Sequence, residues 1–252
     1  MKYLSYTIKN NTGILRFNRP EKYNAFHRDL LQELASLLKR ENQNPELKVL
    51  IITGEGKAFS SGVDLKALLD LKSVEQAREF ALLLESTSEL IYHFSKPTIA
   101  LVNGLALGGG FGYATAADIR IMSTTAKIGY PAVKLGAILP ATCTMYLKAL
   151  IGDGRTKDLL LTGRMLQADE ALSIGLVNYT APAENILDFA MEKAREIMEA
   201  PELALLYTKN TINFTTKKEI EAAKLYAADN FAFLSQTKEW QNRMNAFANK
   251  KK

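Results

Sequence analysis

The chain of 252 residues reads as an α/β protein with one mixed core and a helical C-terminal part. Three observations predict this. Short, β-branched apolar runs alternate with longer amphipathic stretches through the first half. The strand–helix–strand order demands crossover connections, and crossovers pair strands in parallel. Beyond about residue 141 the pattern becomes almost wholly helical.

Tyr3–Ile8 and Gly13–Phe17 flank Asn10-Asn11-Thr12 and predict a β-hairpin, which Arg19-Pro20-Glu21 ends. His27–Asn42 carries Leu30, Leu34, Leu37 and Leu38 at helical spacing. Lys48–Thr53 is a continuous apolar run closed by Gly54, the pattern of a buried strand. Ser73–His93 predicts a second helix that ends before Pro97, and Thr98–Val102 the next strand. The glycine-dense segment Asn103–Gly112 leads into a short helix of small residues, Tyr113–Ala117. Strands are expected at Asp118–Met122 and Ala126–Tyr130. Helices are expected at Glu184–Glu199, from Pro201 onward, and over Lys217–Asn249 as one rod or two broken near Ser235. That last stretch carries Ile220, Tyr226, Phe231, Phe233, Leu234, Trp240, Met244 and Phe247. This apolar surface must pack on its own domain or on another subunit.

Composition excludes several classes. Apolar residues are 47% and charged residues 23%, as in ordinary globular proteins. A lone cysteine, Cys143, excludes a disulfide framework and a cysteine zinc site. The two histidines, His27 and His93, leave no histidine-based metal site, so no metal is expected. No run of 18 apolar residues exists to span a membrane, and the first residues lack a signal-peptide core. The expected compartment is the cytoplasm. The net charge of +5 permits an anionic partner. The only dense basic run, Lys250–Lys252, reads as a frayed tail, and no nucleic-acid motif is present. A phosphorylated small molecule stays open.

Familiar motifs fail on spacing. Gly108, Gly110 and Gly112 follow a strand, but Tyr113 breaks the dinucleotide pattern. Gly54-Glu55-Gly56-Lys57 lacks the earlier glycine of a P-loop, and Phe59 spoils a nucleophile elbow around Ser61. Two backbone segments remain, Ala58–Leu65 and Asn103–Gly112. Each follows a buried strand and uses small residues that let a ligand approach the main chain. N–H groups converging from two such loops form an oxyanion hole. The competing reading is a glycine turn needed only for tight strand–helix packing.

These segments, with others, resemble the enoyl-CoA hydratase/isomerase (crotonase) superfamily over nearly the whole chain. The resemblance is carried by Asn18–Ala25, Ala58-Phe-Ser-Ser-Gly-Val-Asp-Leu65, Lys96–Gly110, Ala117-Asp-Ile-Arg120, Gly163–Val177 and Met244–Phe247. It implies a crotonase-like spiral of ββα units over residues 1–195 and a C-terminal helical trimerisation region over 196–252, with trimers often paired into hexamers. It implies an acyl-CoA or acyl-carrier thioester as substrate and no separate cofactor, coenzyme A being part of the substrate. By motif position the oxyanion donors are the N–H groups of Ser61 and Gly109, while adenine and phosphates lie near Lys22, Ala25, Asp64 and Lys66.

The chain departs from the resemblance where protons are moved. Hydratases of this superfamily use two glutamates; here those positions hold Gly112 and Ala132. An aspartate position of some isomerases and dehalogenating relatives corresponds to Pro140. A hole stabilises an enolate but moves no proton, and each missing acid–base group costs about 10²- to 10⁴-fold. Tyr113, Tyr130, Thr142, Cys143, Thr144 and Tyr146 lie nearby in sequence, and Cys143 has no identifiable base partner. Three functions compete: a hydratase- or isomerase-type enzyme with substituted acid–base chemistry, a decarboxylase of malonyl-type thioesters, and a non-catalytic acyl-CoA binder. Decarboxylation forms the enolate without a base.

Overall fold

A computed structural model describes residues 1–214 and 217–249; the Lys250–Lys252 run lies outside them, as does the side chain of Ile220. β1 (Leu4–Lys9) and β2 (Thr12–Phe17) form the expected antiparallel hairpin. Its two turn residues, Asn10 and Asn11, have φ of 50° and 59°, the left-handed pair that matches strand twist in a tight hairpin.

The chain then alternates between two sheets. α1 (Arg28–Asn42) leads to β3 (Val49–Gly54) and β4 (Ala58–Ser60). α2 (Leu65–Leu69) and α3 (Val74–Tyr92) precede β5 (Thr98–Val102) and β6 (Leu105–Leu107). α4 (Gly109–Ala116) precedes β7 (Ile119–Ser123) and β8 (Lys127–Gly129). α5 (Ala141–Thr162), β9 (Met165–Gln167), α6 (Ala168–Ser173) and β10 (Tyr179–Ala181) complete the core. The six-stranded sheet runs β1-β2-β3-β5-β7-β10 and is parallel from β2 onward; the four-stranded sheet runs β4-β6-β8-β9. Each passage of the chain thus adds one strand to each sheet, a mixed α/β spiral.

The continuous apolar run of β3 is explained by its two buried faces. Leu50 and Ile52 join the main core, whereas Val49 and Ile51 pack with Ile99, Leu101 and Ile121 on the other side. That second face is covered by α7 (Ile186–Met198) through Ile186, Ala190 and Ala194.

The C-terminal helices are α8 (Glu202–Asn213), α9 (Lys217–Ser235) and α10 (Lys238–Asn249). The break near Ser235 is present, so this stretch is two helices. α9 packs along α3. α8 is tied to the core by Lys209, whose ammonium donates to Asp118 at 2.6 Å and to the Lys96 carbonyl at 3.1 Å. Phe231, Trp240 and Met244 are buried, while Tyr207, Ile212, Phe214, Tyr226 and Phe233 remain exposed. Among the described residues no helix is long and apolar enough to cross a membrane.

Two expectations change, and four strands are added to those expected. α4 begins at Gly109, four residues before Tyr113, because its glycines are the first helical turn rather than a loop. Pro201 precedes its helix as the N-cap instead of opening it. The strands β4, β6, β9 and β10 have three residues each, too short for a periodic signal.

Candidate active site

α4 is an apolar helix with all eight residues buried, and its N-terminus faces the loop after β4. The two meet at glycine. Gly62 has φ of 91°, and a Cβ there would come within 2.7 Å of the Leu107 carbonyl oxygen and 2.9 Å of the Gly109 nitrogen. A Cβ on Gly110 would lie 2.3 Å from the Ser60 carbonyl oxygen. Only glycine permits this approach.

The first loop is braced by the early segment. Asn24 is buried and in the left-handed region; its amide donates to the carbonyls of Glu55 (2.9 Å) and Ala58 (2.7 Å), while its oxygen accepts from the Arg19 N–H at 2.9 Å. Phe26 bridges in parallel to Val63, its N–H donating to the Gly62 carbonyl at 2.7 Å and its carbonyl accepting from the Asp64 N–H at 2.8 Å. The Phe26 ring stacks on Tyr113 of α4 at 4.8 Å.

This bracing corrects one donor. The N–H of Ser61 is spent on the Tyr23 carbonyl at 2.8 Å, so Ser61 is not free to hold an oxyanion. Gly62 donates to the Ser60 hydroxyl and Asp64 to Phe26, which leaves Val63 as the loop residue whose N–H has no acceptor among the described residues. The Gly109 N–H, in the first turn of α4, is likewise without an acceptor there. Alternation along the bridged segment turns successive N–H groups to opposite sides, which no residue identity in the loop reveals.

Val63 and Gly109 line one cavity of about 1160 Å³. So do Ser61, Lys22, Ala25, Asp64, Lys66, Ala132 and Pro140; Gly112 does not. Lys22 and Lys66 are exposed at the rim. Asp64 caps α2 by accepting from the Lys66 N–H at 3.0 Å and pairs with Arg19 at 3.1 Å. The interior is apolar, with Leu84, Leu107, Leu139, Phe231 and Met244 among its walls, so α9 and α10 close over the core's own site.

The three vacant positions differ. Ala132 and Pro140 face the cavity, whereas Gly112 is packed shut: a Cβ there would meet the Cys143 sulfur at 2.8 Å and a Leu139 methyl at 3.2 Å. Burial pushes the Cys143 thiol up to about 12, the Glu85 carboxylate adding to the effect, so the thiol stays neutral. Tyr130 lines the cavity and is buried, which raises its phenol above the ordinary range.

Sequence reasoning missed Glu85. It is 1% exposed and also lines the cavity. The signal was present: Glu85 falls in the apolar stripe of α3 formed by Ala77, Phe80, Ala81, Leu84, Ser88 and Ile91. An acidic residue on the buried face of a helix needs partners, and here α5 supplies them.

The sequence profile of enoyl-CoA hydratase/isomerase matches residues 7–252. The chain belongs to the enoyl-CoA hydratase/isomerase family. A crotonyl-CoA hydratase from Syntrophomonas wolfei is 38% identical over 95% of this chain and 92% of its own. A short-chain-enoyl-CoA hydratase from Clostridium acetobutylicum is 33% identical over the same shares. The crystal structure of an enoyl-CoA hydratase/isomerase from Mycobacterium paratuberculosis superposes with a TM-score of 0.91 at 25% identity, covering 98% of both chains. The fold is therefore that of the crotonase superfamily, and the protein is an acyl-CoA enzyme of this family.

Proposed function

We propose that the protein binds an acyl-CoA thioester and stabilises its enolate, in chemistry of the hydratase or isomerase type, with the usual glutamates absent at Gly112 and Ala132. The observation that carries this is a pair of N–H groups, Val63 and Gly109, that have no acceptor among the described residues and lie at the wall of one large apolar cavity. The thioester oxygen accepts from both, and preorganised donors in a dry site favour the charged enolate over the neutral ground state. The adenine and phosphates of coenzyme A lie near Lys22, Ala25, Asp64 and Lys66, which line the same cavity. Coenzyme A enters as part of the substrate, and no further cofactor is invoked. The core, residues 1–195, supplies both donors, and α9 and α10 close the cavity over them. Residues 196–252 build a homotrimer or a hexamer of paired trimers, a reading supported by the exposed Tyr207, Ile212, Phe214, Tyr226 and Phe233. The single cysteine is in keeping with a cytoplasmic protein.

Decarboxylation of a malonyl-type thioester is the second reading, favoured by the uncharged Ala132 and Pro140 on the cavity wall. Glu85 on the same cavity counts against it, because a buried carboxylate repels a carboxylated acyl group. Purified protein is assayed with crotonyl-CoA, a 3-enoyl-CoA and methylmalonyl-CoA. Turnover of an enoyl thioester is expected. Turnover of methylmalonyl-CoA alone would establish decarboxylation, and tight binding of all three without turnover would make the protein a binder.

A further inference from the structure

With the positions at Gly112, Ala132 and Pro140 empty, another group must move protons if the site is to do more than hold an enolate. The cavity walls bring few candidates. Asp64 is committed to Arg19 and to the α2 cap, and Glu21 and Asp70 sit exposed at the rim. Cys143 is neutral. Glu85 is the buried carboxylate of the cavity.

Its setting is built. Oε1 accepts from the Ala141 N–H at 2.7 Å; Oε2 accepts from the Thr142 N–H at 3.1 Å and from the Thr142 hydroxyl at 2.6 Å. Ser88 holds that hydroxyl from the other side at 2.6 Å. Two acceptor positions per oxygen are available to a carboxylate, so Oε1 retains one. The start of α5 favours the charged form, while burial favours the neutral one. These opposed influences leave the carboxyl above its usual range, with burial the largest cause, the Thr142 and Ala141 donors opposing it and the Glu89 carboxylate adding to it. The groups facing it are Glu89 on α3, Tyr113 on α4, and Cys143 and Tyr146 on α5. Lys224 of α9 pairs with Glu89, and Arg28 of α1 with Glu79 on the exposed side of α3.

We propose that Glu85 is the acid–base group of this site, and that a single carboxylate there performs a proton shift within a bound 3-enoyl thioester instead of adding water. The inference rests on the enolate-stabilising site described under the proposed function. The C2–H bond breaks, the proton passes to a Glu85 carboxylate oxygen, and the electron pair spreads through a dienolate whose oxygen is held by Val63 and Gly109. The same proton, or one exchanged with solvent, returns at C4, and the double bond moves from C3=C4 to C2=C3. Nothing is added or lost, so one group that is base and then acid suffices. Hydration needs a water activated as well, which the vacant Ala132 wall does not do.

The alternative is that Glu85 only caps α5, since Pro140 at the N-cap offers no side-chain acceptor. The test separates the two. Purified full-length protein is given a 3-enoyl-CoA, to follow isomerisation, and butyryl-CoA in deuterated water, to follow exchange at the α-carbon. The wild type isomerises and exchanges. Glu85→Gln lowers both rates by about 10²- to 10⁴-fold while thioester affinity changes by less than about threefold, and Glu85→Asp recovers part of the rate. Should Glu85→Gln not fold, the pH profile decides. The acid limb of wild-type exchange moves to higher pH in Thr142→Val, because a donor to the charged carboxylate is lost. Full exchange by Glu85→Gln, or an acid limb unmoved in Thr142→Val, overturns the proposal and leaves the capping role. Absence of exchange in a wild type that binds the thioester overturns the enolate-stabilising reading itself, and this proposal with it.

Discussion

The two walls of the cavity have been treated differently. On one side, the loop after β4 and the start of α4 keep every feature that exposes two N–H groups: the left-handed Gly62, the close approach of Gly110 to Ser60, and the brace of Asn24 and Phe26. On the other side, the short 3-10 helix Pro131–Leu135 and the start of α5 present Ala132 and Pro140, while the Cys143 sulfur packs against Gly112. A backbone donor belongs to the fold, and exchanging one side chain for another, proline apart, leaves it in place. A side-chain acid is detachable, and its space here is either open or filled by apolar packing. The wall that carries the two N–H groups and the wall that carries Ala132 and Pro140 are thus physically separable.

The comparison breaks first at Gly109. Gly109→Pro removes one donor at the first position of α4, where proline's missing N–H disturbs no helical bond. Turnover should fall by about 10²- to 10³-fold while circular dichroism stays native; unchanged turnover in a folded variant would end the donor's role.

The opposite wall can be refilled. Ala132→Glu places a carboxylate on the cavity where the superfamily's hydratases carry one. Crotonyl-CoA hydration should rise by about 10²-fold, the lower end for one acid–base group. No gain would mean that the open space at Ala132 does not lead to the reacting carbons.

Gly112 should resist the same treatment. Gly112→Ala drives a Cβ against Cys143 and should cost about 1–3 kcal/mol in urea unfolding. Cys143→Ala in the same chain should recover part of that cost, giving a coupling between the two sites. Additive losses would show that Cys143 is not what fills the position.

The smallest effect concerns the brace. His27 follows Phe26 and caps α1 through Nδ1, which accepts from the Leu30 N–H at 3.3 Å. Burial, helped by Arg19, holds the imidazole below its ordinary 6.5. The unfolded chain therefore takes up this proton first, so the stability contributed by the cap is full above pH 6.5 and is lost as pH falls below it. The loss should be about 1 kcal/mol or less in thermal unfolding, and His27→Asn, a cap that does not titrate, should flatten it.

Much of the architecture was legible where periodicity is long. α1, α3, α7 and the paired terminal helices follow from apolar spacing, and β3 and β5 from unbroken β-branched runs. In the smaller sheet β8 was expected within Ala126–Tyr130, but the equally short β4, β6 and β9 were not, since a pattern of period two needs more residues to declare itself. Motif order pointed to Gly109, Lys22 and Lys66, and all three line the cavity. It did not point to Val63, because which N–H a loop leaves free depends on what its neighbours bond.

The amino-acid sequence by itself determined the α/β class, the family, the glycines that allow two loops to touch, and the absence of carboxylates at residues 112, 132 and 140. These are properties of residue identity and spacing. Only the tertiary structure decided that Tyr23 consumes the Ser61 N–H, that Cys143 packs against Gly112, and that Glu85 turns from α3 toward the cavity and the start of α5. Each of those depends on atoms far apart in the chain, and hydrogen-bond partners and filled volumes exist only once the chain has folded around them.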